Sequence, residues 1–203
     1  MKPSVGFHIV MVDIDEKAYE SNASAMDEAV RTGDLHFFDD PKDGWVWRTA
    51  NINLYPGQPG WYSQGTVQSY IASAHQEMRD GKPWMTLQAQ AAFLGLNADF
   101  TWSKDRLSVD SKWSVTEPAS YKPLGTEKAA TGGISPGDLP EEQFHVASYA
   151  DKGWDMTPGK ERAFWVGKTS GVVRDGVGMS IADMIKKQKS SRLAVFLSAL
   201  PAI

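Results

Sequence analysis

The chain has 203 residues and no cysteine, which removes disulfides, thiolate metal sites and cysteine nucleophiles together. Hydrophobic residues at 41% and charged residues at 23% are ordinary for a folded domain with one good core. A net charge of −4 speaks against general nucleic-acid binding, and no apolar run approaches the ~18 residues of a spanning helix.

The first segment, MKPSVGFHIVMVDIDE, has a short apolar run that stops at acids, so it reads as a strand rather than a signal peptide. Residues 5–14 are rich in β-branched side chains and predict a central strand. Residues 16–32 carry Tyr19, Ala23, Met26, Ala29 and Val30 at helical spacing and stop at Gly33, as a helix does. A short strand is expected over 36–39, then a turn at Pro41-Lys42-Asp43-Gly44, a strand over 45–54 and a rigid loop over 55–60. Residues 66–79 read as a helix, with Val67, Tyr70, Ile71, Ala74 and Met78 on one side and Gly81 and Pro83 closing it.

From Trp84 to Trp102 the pattern has period two. Met85, Leu87, Ala89, Ala91 and Phe93 are apolar on odd positions, and from Leu94 the apolar set moves to even ones. Such a parity change predicts a bulge, a corner or a change of sheet near 92–94. Residues 94–115 read as a long hairpin turning at Lys104–Asp105. One face then gathers Leu94, Leu96, Phe100, Trp102, Leu107, Val109, Trp113 and Val115, and the other is polar. The apolar face demands a core, a ligand, a partner or a lipid.

Residues 117–141 hold four prolines and four glycines and read as a long mobile loop. Two further strands, 144–150 and 163–173, predict a second hairpin, and 180–200 a closing helix with a capping pair at Ser180 and Asp183. The expected architecture is one α+β domain over 1–203. It has a mainly antiparallel twisted sheet, two long β-hairpins, two helices in the N-terminal half and one at the C-terminus.

Chemistry-bearing residues are few. Asp13-Ile14-Asp15 at a strand end resembles the first motif of haloacid-dehalogenase-type phosphatases, where paired carboxylates share magnesium; Lys17 departs from that motif. Gly167-Lys168-Thr169 mimics the end of a phosphate-binding loop without its leading glycine. His8, His36, His75 and His145 have no ligand spacing. Lys186, Lys187, Lys189 and Arg192 lie within seven residues without an acid, flanked by apolar Ile185 and Leu193, as in an interfacial helix facing anionic headgroups.

The segment Leu35-His36-Phe37-Phe38-Asp39-Asp40-Pro41-Lys42-Asp43-Gly44 resembles a strand-and-turn segment of the gasdermin pore-forming domain, where a similar run precedes the first membrane hairpin. That resemblance implies a soluble cytoplasmic protein that moves to a membrane and refolds into a β-barrel pore. The leading expectation is therefore a non-enzymatic protein that binds acidic lipid through Lys186, Lys187, Lys189 and Arg192. It would oligomerise through hairpins 84–116 and 142–174, and no cofactor, metal or nucleic acid is expected. Two alternatives stand beside it. One is a small-ligand-binding protein or magnesium-dependent phosphatase-like enzyme using Asp13, Asp15 and His145; the other is a structural shell subunit.

Overall fold

A computed structural model describes residues 5–40, 44–55, 57–102, 108–122, 141–155, 157, 159–171 and 179–200. The fold is α+β with antiparallel sheets. Strands β1 (Val5–Asp15), β2 (Trp45–Leu54), β7 (Glu161–Thr169) and β8 (Ser191–Ala199) form one sheet in the order β2-β1-β8-β7. Strands β3 (Gly60–Arg79), β4 (Lys82–Trp102), β5 (Ser108–Lys122) and β6 (Glu141–Asp155) form a second in sequential order. Every strand pairing in both is antiparallel.

The first sheet is covered on both sides, which is why β1 and β8 are apolar at nearly every position. On one side Val10, Val12, Ile14 and Phe196 meet Met26, Ala29 and Val30 of helix α1 (Glu16–Thr32). The helix is kinked at Asn22, whose φ is −138°, and Gly33 ends it in the left-handed conformation at φ 75°. On the other side Phe7, Ile9, Phe164, Val195 and Leu197 meet Leu96, Phe100, Val109, Trp113 and Trp154 of the second sheet. Phe7, Phe100 and Trp113 are almost fully buried, and their rings contact one another edge-on or tilted at 5.2–5.5 Å.

Several elements differ from their sequence-based expectation. Residues 66–79 are strand rather than helix. Their spacing of three and four comes from period-two alternation interrupted by a bulge, the extra residue being Ala72 between Ile71 and Ser73. Asp80-Gly81 takes positive φ at both positions (51° and 71°) and joins β3 to β4 by a two-residue turn; Asp-Gly is a strong signal for that turn. The closing helix is cut to α2 (Ile181–Lys186), capped as expected by Ser180 on the Asp183 amide. The doubly apolar run that follows is strand β8, because it lies between two neighbours under two layers. The second expected hairpin does not form: β6 and β7 follow one another but belong to different sheets.

The hairpin of β4 and β5 has the expected faces and a different register. Leu96 faces Val115 and Ala98 faces Trp113, a two-residue slip that keeps the same side chains inward. It also places Asp99 opposite Lys112 rather than opposite Asp110, so the like-charge pair is avoided. The turn at Lys104–Asp105, the Leu107 position and most of the 117–141 loop lie outside the described residues. Residues 117–122 themselves are part of β5.

Candidate functional site

Beyond Leu94 and Thr66 the β3–β4 hairpin leaves the sandwich and runs on to its turn at Asp80-Gly81. This arm has thirteen residues on β3 (67–79) and twelve on β4 (82–93), roughly 40 Å at ~3.3 Å per residue. Strand β5 pairs with β4 only from Gly95 onward, so along the arm β4 has no second neighbour among the described residues. β3 is an edge strand throughout. Both edges of the arm therefore present backbone groups that no strand among the described residues pairs.

The arm leaves the body at a pinch. Gly65 faces Gly95, and a Cβ on either would stand 2.2–2.3 Å from a backbone carbonyl oxygen of the opposite strand. Gly95 has a φ of 147°, which glycine alone tolerates well. Register runs unbroken through this point, from Gly60/Phe100 to Ile71/Ala89. The parity change in the sequence is thus neither bulge nor corner in β4. It marks a switch in which side of one continuous strand is apolar.

In the body, the even positions Leu94, Leu96, Ala98 and Phe100 face the core. In the arm, the odd positions carry the apolar side chains, on the opposite face. Val67 is 65% exposed, Met78 67% and Leu87 45%, and Phe93, Ile71 and Met85 are half-buried on the same side. The bulge at Ala72 changes parity in β3, which keeps Met78 on the face of Val67 and Ile71. The other face is polar and cross-linked by its own side chains. Tyr70 Oη donates to Gln90 Oε1 at 3.2 Å, and Ser73 Oγ donates to Gln88 Oε1 at 3.0 Å. His75 faces Thr86, and near the turn Arg79 pairs with Glu77 and lies 5.2 Å from the Trp84 ring centroid.

At the root of the arm, α2 lays Ile181 and Met184 on Leu94, with Tyr70, Ala92 and Phe144 packed around them. The rings of Tyr70 and Phe144 stand 5.2 Å apart, so the outer strands β3 and β6 curl toward one another here. Gln68 Nε2 donates to the Met179 carbonyl and fixes α2 against β3. Lys186, Lys187 and Lys189 are exposed at this end. Arg192 is not exposed in the same way. It donates twice to Glu16 at 3.1 Å and stacks on Tyr19 at 3.9 Å, and with Lys168 it holds the Glu16 carboxyl below its ordinary pKa.

The other sequence-predicted residues fall elsewhere. Leu94, Leu96, Phe100, Val109, Trp113 and Val115 are buried; Leu94 lies under α2, while the others, with Trp102 packed against them, cover the first sheet. Asp13 is 6% exposed inside the sandwich, where it and Arg48 line a cavity of about 10 Å³, room for one water. Asp13, Asp15 and His145 are not brought together: Asp13 is inside, while His145 is on exposed β6. Among the described residues no group of three His, Asp or Glu could hold a metal ion.

No family model and no curated protein matches the chain. Among solved structures it is similar to the secretin-domain β-barrel of InvG from the Salmonella SPI-1 injectisome, at 11% identity and a TM-score of 0.35. That alignment covers 99% of this chain and 61% of the other. A second structure of the InvG secretin from the Salmonella SPI-1 type III secretion injectisome matches at 8% identity and a TM-score of 0.32, covering 100% and 65%. The chain thus spans about two thirds or less of the length of either.

Two sequence-based expectations are overturned. The gasdermin likeness rested on 35–44 as strand and turn, but Leu35–Phe38 is a 3-10 helix whose Phe38 is buried against Trp45 and Phe196. The similar solved structures are secretins, not gasdermins. The cytoplasmic placement rested on the same likeness and falls with it; a chain without cysteine suits an oxidising compartment equally.

Proposed function

We propose that the chain is a non-enzymatic structural subunit of a homo-oligomeric, membrane-associated channel, with the β3–β4 arm as its contribution to the wall. The observation that carries this reading is the arm itself, apolar on one face, polar on the other and open at both edges. Lipid demands that every backbone group be paired, so a two-stranded arm can enter it only by joining others into a closed wall. In that wall β3 of one copy meets the free edge of β4 of the next. A tilted crossing needs about 9–11 residues per strand, and the arm supplies twelve on β4 and thirteen on β3, enough to cross. Val67, Ile71, Met78, Met85, Leu87 and Phe93 would face hydrocarbon; Gln68, Ser73, His75, Thr86, Gln88 and Gln90 would line water.

This differs from hairpins 84–116 and 142–174 as the inserting elements. The β4–β5 pairing is the floor of the core, so its release would cost the body its largest apolar contacts, whereas the arm needs no unfolding. Lys186, Lys187 and Lys189 remain the proposed contacts to acidic lipid, at the root from which the arm leaves.

The test pairs size with leakage. Full-length protein is incubated with vesicles containing acidic lipid, dye release is followed, and the detergent-extracted species is sized. The reading expects release together with a discrete oligomer. A chain that stays monomeric with intact vesicles contradicts it.

A further inference from the structure

Between the root ends of the two sheets lies an open cleft of about 300 Å³, large enough for a small polar ligand. Its walls come from the ends of β5 and β7, from His145 on β6 and from the turn between α2 and β8. Backbone contacts hold the walls together: Ser170 N donates to Glu117 Oε2 at 2.6 Å, and Lys189 N donates to the Ser170 carbonyl at 2.9 Å. Gln188 Nε2 donates to the Pro118 carbonyl and ties the α2–β8 turn to β5.

The groups left over are mainly donors. The Glu117 carboxylate is 1% exposed and committed to the wall. Lys168 reaches Glu16 at 3.0 Å, so two cations, Lys168 and Arg192, share that one acid. Among the described residues no acid pairs with exposed Lys189, and none gives the buried Ser170 hydroxyl a hydrogen-bond partner. His145 stands on the rim. A hydroxyl, an ammonium and an imidazole thus line one cleft, where Glu117 Oε2 already accepts from the Ser170 amide, and such a set of donors suits an oxyanion.

We infer that this cleft binds a phosphoryl group, contacted by Lys189, Ser170 and His145, as the headgroup of an anionic lipid or as free phosphate. Position favours the headgroup. Glu117 follows directly on Thr116, which faces Gly95 at the pinch, so the cleft opens at the level where the arm leaves the body. With the arm across a bilayer, that level is the headgroup layer. The lipid source rests on the insertion reading; the phosphoryl chemistry does not.

Co-sedimentation of the full chain with phosphatidylcholine vesicles, with and without phosphatidic acid, tests the site, alongside calorimetric titration with inorganic phosphate. Binding should require phosphatidic acid, and Lys189→Gln should weaken it about fivefold, the effect of one basic residue at an anionic surface. Ser170→Ala changes no charge and leaves a buried hydroxyl out, so it should weaken binding while the protein stays folded. Lys160→Gln, at the far end of β7, should bind as the parent does. Equal losses in Lys160→Gln and Lys189→Gln, or unchanged binding by Ser170→Ala, overturn the cleft. Phosphate binding with the same variant pattern and no preference for phosphatidic acid identifies the free ion as the ligand. Vesicles that leak without dependence on Ser170 remove the cleft and keep the channel; cleft-dependent binding without leakage removes the channel and keeps the cleft.

Discussion

The two halves of β4 share one register and one partner, yet they solve opposite problems. From Leu94 to Phe100 the inward face is at most 3% exposed, Leu94 under helix α2 and Leu96, Ala98 and Phe100 under the first sheet. From Met85 to Phe93 the apolar side chains stand on the other face, with no layer over them among the described residues. Burial stabilises the first half by about 25 cal/mol per Å² of apolar surface removed from water. The second half forgoes that stabilisation, and an exposed apolar stripe on one face of a long arm marks a surface that meets something else. The difference lies in which parity carries the hydrophobes, and Gly65 and Gly95 stand at the row where it changes.

The contrast is sharpest in stability. Trp113→Ala removes the largest fully buried side chain among the described residues, whose Nε1 donates to Ser111 Oγ, and should cost about 3–5 kcal/mol by urea unfolding. Next comes the pinch. Gly95→Ala forces a methyl group onto the Gln64 carbonyl at positive φ and should cost about 1–3 kcal/mol, with the arm's root disturbed in amide exchange.

A smaller effect belongs to Glu16. Its folded pKa lies below its ordinary value of 4.5 because Arg192 and Lys168 bond to it. Its contribution is therefore fully present above the unfolded pKa and lost as pH falls through the folded one. Glu16→Gln should flatten the stability curve below about pH 4.5, as thermal melts across pH 3–6 would report. Smallest of all in stability is Leu87→Ser, expected to stay within about 0.5 kcal/mol while vesicle leakage falls sharply. A large destabilisation by Leu87→Ser would mean that the arm packs on its own body and would end the comparison.

The sequence carried the α+β class, helix α1, the strands of the core and the faces of the β4–β5 hairpin, because single-parity alternation is legible wherever one side is buried. The parity change at 93/94 was visible too, but a bulge, a corner and a switch of covered face leave the same trace. At 66–79 the bulge at Ala72 disguised two strand segments of opposite parity as a helix, although Asp80-Gly81 signalled the turn. Residues 191–199 read as helix because a strand buried on both faces has no period. The cleft was not legible. It gathers Glu117, His145, Ser170 and Lys189 from four separate segments, and spacing along a chain says nothing about such meetings.

The most direct test of the arm's role uses the absence of cysteine. Single cysteines placed from 85 to 91, each labelled with an environment-sensitive fluorophore, report what each side chain meets when vesicles containing acidic lipid are added. Insertion of the arm into lipid gives a period-two response, with 85, 87, 89 and 91 entering an apolar environment and 86, 88 and 90 staying in water. A uniform response along the arm, or none at any position, would contradict it.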